Sequence, residues 1–110
     1  MNKTINILGQ DYSYIETTSN EDPRLGNADG WCGIYEKTIL IEKNIFNHSQ
    51  GGDMDYQRLA RSKLIKRHEI IHAFFNESGL MDYSQNEQLV EWIAIQFPKI
   101  FIAFNEVDAL

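Results

Sequence analysis

The chain has 110 residues, 43% of them hydrophobic and 12% aromatic, which is typical of one globular domain with a modest core and not of a disordered chain. The net charge of −6 argues against a nucleic-acid-binding surface. The single cysteine, Cys32, excludes an internal disulfide framework and indicates a reducing compartment. No stretch is apolar over the length of a membrane span or a signal-peptide core. We therefore expect a single cytoplasmic domain over residues 1–110 that binds neither nucleic acid nor membrane.

The first half of the chain has the composition of β-strands. The predicted strands are residues 5–8, 12–18, 31–35 and 38–42. Residues 9–11 form a turn between the first two, and Glu36 and Lys37 join the last two. The polar segment 19–30 predicts a surface loop. Two hairpins of this kind predict a small antiparallel sheet of three or four strands.

A long helix is predicted from about residue 54 to residue 78. Asp53 or Asp55 is placed to cap its start, and Gly79 can end it in the left-handed conformation. The loop before this helix contains His48, which we interpret as exposed and not as a ligand. The first half of the helix carries five basic residues that we interpret as a solvated face, namely Arg58, Arg61, Lys63, Lys66 and Arg67.

A second helix is predicted to begin near residues 84–87. Its apolar stripe consists of Leu89, Val90, Ile93, Ala94 and Phe97. Pro98 either interrupts this helix or starts the next turn. Residues 100–104 are apolar enough to form a short terminal helix in the core.

The long helix contains the motif His-Glu-x-x-His at residues 68–72. Side chains four residues apart lie one above the other on a helix, so the imidazoles of His68 and His72 can converge on one zinc ion. Glu69 lies about 100° round the helix from His68, where a base can take a proton from a zinc-activated water. The alternative is a pair of core histidines in a helix that packs on a sheet.

A catalytic zinc usually takes three protein ligands. Ser78 occupies the position, six residues after His72, where one known arrangement has a third histidine, and no histidine follows in the chain. An acidic ligand is therefore expected from the second helix, which offers Glu87 and Glu91. We favour Glu87 as the ligand and Glu91 as the acceptor of a hydrogen bond from a ligating histidine. The reverse assignment stays open.

Two features of the site are left open by the sequence. Ser84-x-x-Glu87 is also the pattern of a capping box, in which Glu87 would turn back to the start of its helix instead of binding the metal. A donor to the developing oxyanion is also needed, and Tyr35, Tyr56 and Tyr83 are the candidates.

Two segments carry a family resemblance. Residues 67–80 read RHEIIHAFFNESGL and residues 86–94 read NEQLVEWIA. These segments resemble the ImmA/IrrE-type zinc metallopeptidases of the gluzincin type, and in particular small proteins of phages and mobile elements of Gram-positive bacteria. In the family pattern a ligating glutamate stands eleven residues before a proline, which corresponds to Glu87 and Pro98, and an acid four residues later corresponds to Glu91.

The resemblance implies an α+β, minimal zincin-like fold, with a small antiparallel sheet packed on the active-site helix and a second helix that carries the last ligand. The implied function is a Zn²⁺-dependent metallopeptidase that hydrolyses peptide bonds of a protein substrate, a repressor-type regulator in that family. His68, His72 and Glu87 would bind the metal, and Glu69 would act as general base. The alternative is a catalytically silent zinc-binding interaction module of a phage or mobile element.

Overall fold

The computed structural model describes residues 1–45 and 55–110. It contains four strands and three helices in the following order: β1 (Asn2–Ile7), β2 (Gln10–Thr17), β3 (Gly30–Gly33), β4 (Thr38–Glu42), α1 (Asp55–Glu77), α2 (Met81–Ser84) and α3 (Glu87–Glu106). The chain is thus of the α+β class, as expected. The predicted cap at Asp53 and the loop that contains His48 lie outside the described residues.

The four strands form one sheet in the order β1-β2-β4-β3. The hairpins β1–β2 and β3–β4 are antiparallel as predicted, but β2 and β4 pair in parallel, with Tyr14 beside Ile39. The expectation of a wholly antiparallel sheet was therefore wrong. Strand β4 lies between β3, its hairpin partner, and β2, which runs parallel to it. Its residues Ile39, Leu40 and Ile41 are all buried, and a strand that is apolar on both faces is most stable in the interior of a sheet. An interior β4 needs a second neighbour beyond its own hairpin, and this position leaves β3 at the edge.

Helix α1 covers one face of the sheet. The core between them consists of Tyr12, Tyr14, Ile39, Ile41, Ile65 and Ala73, with Ile7 and Ile45 at its margin. The buried tyrosines keep their hydroxyl groups paired, because Tyr12 donates to Glu77 Oε1 at 2.6 Å and Tyr14 donates to Glu16 Oε2 at 2.8 Å. Packing on this scale fixes the rotation of α1 about its axis, and with it the direction of the His-Glu-x-x-His side chains.

The chain turns sharply after α1 and reaches α3 through the short helix α2. Gly79 has φ +74°, so the predicted left-handed end of α1 is confirmed. Asn86 is the N-cap of α3, and its Oδ1 accepts a hydrogen bond from Leu89 N at 3.0 Å. The capping box of Ser84 with Glu87 is not formed. Because Asn86 satisfies the start of the helix, the Glu87 carboxylate is directed to the histidines of α1.

Helix α3 continues through Pro98 to Glu106, so of the two alternatives given for Pro98 an interruption of the helix was wrong. Arg67 of α1 donates its Nε–H to the Ala94 carbonyl oxygen at 2.6 Å, at the position where the proline leaves the helix without a donor. The placement of residues 100–104 in the core was also wrong. Phe101 and Ile102 are 46% and 57% exposed, because the end of α3 extends past the elements that cover its first half. In the described part of the chain, α3 and the other helices fall short of what crossing a membrane requires in length and apolar character.

Candidate metal centre

The imidazoles of His68 and His72 converge with the Glu87 carboxylate where α1 and the start of α3 meet. His68 Nε2 lies 2.9 Å from Glu87 Oε2, His72 Nε2 lies 3.0 Å from Glu87 Oε1, and the two Nε2 atoms are 3.2 Å apart. Two ligands bonded at ~2.0–2.1 Å to a tetrahedral ion are roughly 3.3 Å apart. The three side chains lie close enough together to hold a metal ion.

Each histidine is oriented by a partner at its other ring nitrogen. His68 Nδ1 lies 3.3 Å from Glu91 Oε1, and His72 Nδ1 lies 3.0 Å from Ser84 Oγ. A carboxylate only accepts hydrogen bonds, so Glu91 is a suitable acceptor when the proton of His68 is on Nδ1. The Ser84 hydroxyl lies 3.4 Å from the carbonyl oxygen of His72, so it can donate there while it accepts from Nδ1–H of the same residue. In these tautomers the Nε2 atom of each ring carries a lone pair that is available to a metal ion.

The lone pairs explain why this cluster fits a cation. Two imidazole nitrogens and two carboxylate oxygens face one another, and all four are acceptors when both rings carry their proton on Nδ1. Such an arrangement is repulsive unless a positive charge lies between the atoms. Burial lowers the pKa of His72, with the Glu87 carboxylate opposing the shift and His68 adding to it, so burial favours the neutral form of this ring, which is the form that binds metals. The donor set of two nitrogens and one carboxylate suits a divalent transition metal.

The two acids of α3 occupy different places. Glu87, with its side chain 66% exposed, faces both metal-directed nitrogens, whereas Glu91 lies behind His68 at Nδ1. The structure thus brings His68 and His72 together with Glu87 and Glu91, the four residues for which the sequence predicted a role at the metal. Glu69 lies beside them. The assignment of the ligand to Glu87 and of the hydrogen-bond acceptor to Glu91 stays a prediction, and the arrangement is the one that it requires.

Glu69 is buried between α1 and the edge strand β3, with 8% of its surface exposed. A Cβ atom placed on Gly30 would lie 2.8 Å from Glu69 Oε2 and 2.9 Å from Ile65 Cγ2, so only glycine leaves room for the carboxylate here. Burial raises the pKa of Glu69 to about 7; His68 opposes the rise, and Glu87 and Glu91 add to it. A carboxyl group with such a pKa can take up and release a proton near neutrality.

The cluster opens into a cleft of about 520 Å³. Its walls include Trp31 and Cys32 from β3, His68, Glu69 and His72 from α1, and Glu87 from α3. The three tyrosines considered as oxyanion donors are not among the lining residues, and they are 53–92% exposed. Arg61 and Gln85 line the cleft instead. Both side chains carry N–H groups that can donate a hydrogen bond to an oxyanion.

The sequence predicted no role in the site for three residues of this region. Ser84 matched a capping pattern and was assigned no role with His72, Gly30 stood in a predicted loop, and Arg67 belonged to a predicted solvated face. Each acts through a contact between residues far apart in the chain. For Gly30 a signal did exist, because a glycine directly before an apolar strand often marks a close approach of other atoms.

Comparisons of the chain with protein-family models, with curated proteins and with solved structures each gave no match.

Proposed function

We propose that this protein is a zinc-dependent metallopeptidase of the His-Glu-x-x-His type, with a zincin-like fold and a relationship to the ImmA/IrrE-type enzymes. The observation that carries the proposal is the convergence of His68, His72 and Glu87 beside the buried carboxyl group of Glu69. Three protein ligands and an open cleft are typical of catalytic zinc, whereas structural zinc usually has four protein ligands. The cleft, which these residues line, supplies space for a substrate.

Zinc is the metal that the ligands favour. Neutral imidazole nitrogens suit zinc and other borderline ions, while magnesium and calcium prefer sites built from oxygen alone. The partners at Nδ1 of both rings are the kind that zinc-ligating histidines generally have, and they raise the basicity of Nε2. When bound, zinc supplies Lewis acidity, which makes a water molecule more acidic and polarises a carbonyl group.

Glu69 is the proton carrier of the proposed reaction. Its carboxylate accepts the proton of the attacking water, holds it in the buried space beside Gly30, and returns it to the nitrogen of the leaving amine. The pKa of about 7 balances these two tasks, since the group must first accept a proton and then donate it. Ser84 and Glu91 keep the histidine rings in place during these transfers.

The expected substrate is an extended segment of a protein. Among residues 1–45 and 55–110, strand β3 has β4 as its one neighbour in the sheet, and its residues Trp31 and Cys32 line the cleft. An extended peptide can add to such an edge by main-chain hydrogen bonds, which would bring a scissile bond toward Glu69 without a deep specificity pocket.

The test combines metal analysis with a cleavage assay. The parent chain and the Glu69→Gln, Glu87→Ala and Glu91→Ala variants are dialysed against a weak chelator, and zinc is measured by mass spectrometry. Each protein is then incubated with a mixed-sequence peptide library, and new termini are identified by mass spectrometry. We expect one zinc per parent chain, loss of zinc in Glu87→Ala, and weakened binding in Glu91→Ala.

Glu69→Gln is the decisive variant for catalysis. It should keep its zinc and lose cleavage by roughly 10²–10⁴-fold, because glutamine fills the same space and cannot take a proton. Zinc binding without cleavage of any peptide by the parent chain would favour the silent interaction module. If the parent chain folds but binds no zinc, the two histidines have a purely structural role.

A further inference from the structure

Pro98 leaves a buried carbonyl group of α3 without its helical donor. In a regular helix the oxygen of Ala94 would accept the N–H of residue 98, and proline has none. Ala94 is fully buried, so its carbonyl group has no compensation from solvent. A buried carbonyl oxygen without a partner costs free energy comparable to a lost hydrogen bond. The helix nevertheless continues through this position.

Arg67 of α1 supplies the missing donor. Its Nε atom lies 2.6 Å from Ala94 O, so the charged guanidinium donates a hydrogen bond to this oxygen. Other cations of α1 lie near acids, with Lys66 Nζ 3.4 Å from Glu16 and Arg61 3.6 Å from Asp29. Arg67 instead binds a main-chain oxygen of another helix. A side chain that binds a main-chain atom restrains the backbone of that helix directly, whatever rotamers the side chains of the helix adopt.

Both ends of this bond are close in sequence to the proposed metal site. Arg67 directly precedes His68, and Ala94 lies one helical turn after Glu91. The bond therefore joins the two helices next to the place where Glu87 and Glu91 approach His68. A shift of α3 along α1 by less than one residue would separate the carboxylates from the imidazoles, since the rise is only about 1.5 Å per residue.

We propose that Arg67 is a positioning residue of the metal site. Together with Pro98 it forms an interhelical latch, defined here as the Arg67 Nε–Ala94 O bond at a carbonyl oxygen that the proline leaves free. The latch sets the position of α3 against α1 and thereby holds Glu87 and Glu91 at the histidines. The inference rests on the proposed metal site and adds to it a residue that contacts neither the ion nor the substrate.

The test distinguishes two roles of Arg67. The arginine either positions the metal site or only supplies a hydrogen bond to the buried carbonyl group of Ala94. Four proteins are compared: the parent, Arg67→Met, Pro98→Ala, and the double variant. Zn²⁺ affinity is measured by competition with a chromogenic chelator, and the urea midpoint is measured with excess chelator and no zinc. In the double variant, the alanine that replaces the proline has an N–H that can bond to Ala94 O within α3, so the carbonyl group is satisfied although the latch is absent.

Positioning predicts a split between the two measurements. Arg67→Met should lower the urea midpoint and weaken zinc binding by roughly 10- to 100-fold, as loss of a supporting contact generally does. The double variant should regain the midpoint and stay weak for zinc, whereas Pro98→Ala should bind zinc like the parent. Removal of a positive charge beside His68 would by itself strengthen cation binding, so a loss of affinity cannot come from the charge. Arg58→Met, an exposed change on the same helix, is the matched control.

Each other outcome has a definite meaning. Unchanged affinity in Arg67→Met overturns the latch, and so does recovery of affinity together with the midpoint in the double variant. A parent chain without zinc affinity overturns the proposed metal site, a failure that is visible before any variant is examined. If Arg67→Met does not fold, the double variant still decides, because the carbonyl group that the arginine satisfied then has a partner within its own helix.

Discussion

Ser84 Oγ lies 3.0 Å from His72 Nδ1 and 3.4 Å from the carbonyl oxygen of the same histidine. The hydroxyl can therefore accept from the ring while it donates to the backbone. One buried serine on the short helix α2 thus restrains the direction of His72 and favours the tautomer whose Nε2 is free to bind a metal. At His68 the corresponding partner is a carboxylate from α3, so the two imidazoles are held by two different elements of the chain.

Ser84→Ala should weaken zinc binding by roughly 10- to 100-fold, because His72 then loses the contact that keeps its proton on Nδ1. The fold should survive, since a hydroxyl group is exchanged for hydrogen. Ser78→Ala is the control, because it makes the same chemical change at an exposed site on the other side of the turn. Chelator competition measures both. Equal affinities in the two variants would count against the orienting role of Ser84.

Gly30→Ala should abolish most of the proposed peptide cleavage and leave zinc bound. The added methyl group would lie 2.8 Å from Glu69 Oε2 and 2.9 Å from Ile65, so the Glu69 carboxylate must move. A displacement of about 1 Å in a catalytic group can cost roughly 10²-fold in rate. Zinc content and cleavage are measured on the same sample, and loss of both together would point to general disruption of the fold.

Asn86→Ala should destabilise the metal-free protein by about 1 kcal/mol, because Leu89 N loses the side-chain acceptor that caps α3. Asn86→Asp should unfold like the parent, since aspartate caps equally well. Glu87→Ala provides the contrast. It removes no cap, so in the presence of chelator its urea unfolding curve should lie close to that of the parent. A large loss of stability in Glu87→Ala would indicate instead that Glu87 caps its helix together with Ser84.

The stability of the protein should fall in acid partly through Glu77. Hydrogen bonds from Lys37 and then Tyr12 lower the pKa of this carboxyl group below its usual value of 4.5. A lowered folded-state pKa stabilises the protein above pH 4.5, and the contribution disappears as the pH falls through the lowered value. Urea midpoints between about pH 7 and pH 3, with chelator present, should decline less steeply in Glu77→Gln. Parallel declines would contradict this assignment.

The histidine motif and the acids of α3 could be predicted because their information is local. Four-residue spacing places His68 over His72 whatever the rest of the chain does, provided that the segment is helical. Glu87 and Glu91 were both identified by the same spacing, although their division of roles rested on order along the helix and on the family resemblance. The hairpins also follow from local turn chemistry, and Gly79 ended its helix for the same reason.

The remaining features depend on contacts between distant segments. Burial of Leu40 as well as Ile39 indicates an interior strand, but nothing local says that β2 is its parallel neighbour. An interruption at Pro98 was one of two alternatives because proline removes one hydrogen bond, and the compensating donor stands 31 residues earlier at Arg67. The exposed end of α3 was assigned to the core because an apolar composition indicates a tendency to be buried. The composition does not show whether another element of the chain lies close enough to bury it.

The convergence of acceptor atoms at His68, His72 and Glu87 has a consequence for how the protein responds to its surroundings. An ion that binds only the folded chain shifts the folding equilibrium by mass action, by about 2.7 kcal/mol when its free concentration is about 100 times the dissociation constant. The proposed ligands come from both α1 and α3, so the ion would act as a reversible cross-link between distant parts of the chain. The melting temperature of this protein would then report the free zinc concentration around it, and zinc scarcity would shorten its lifetime against proteolysis.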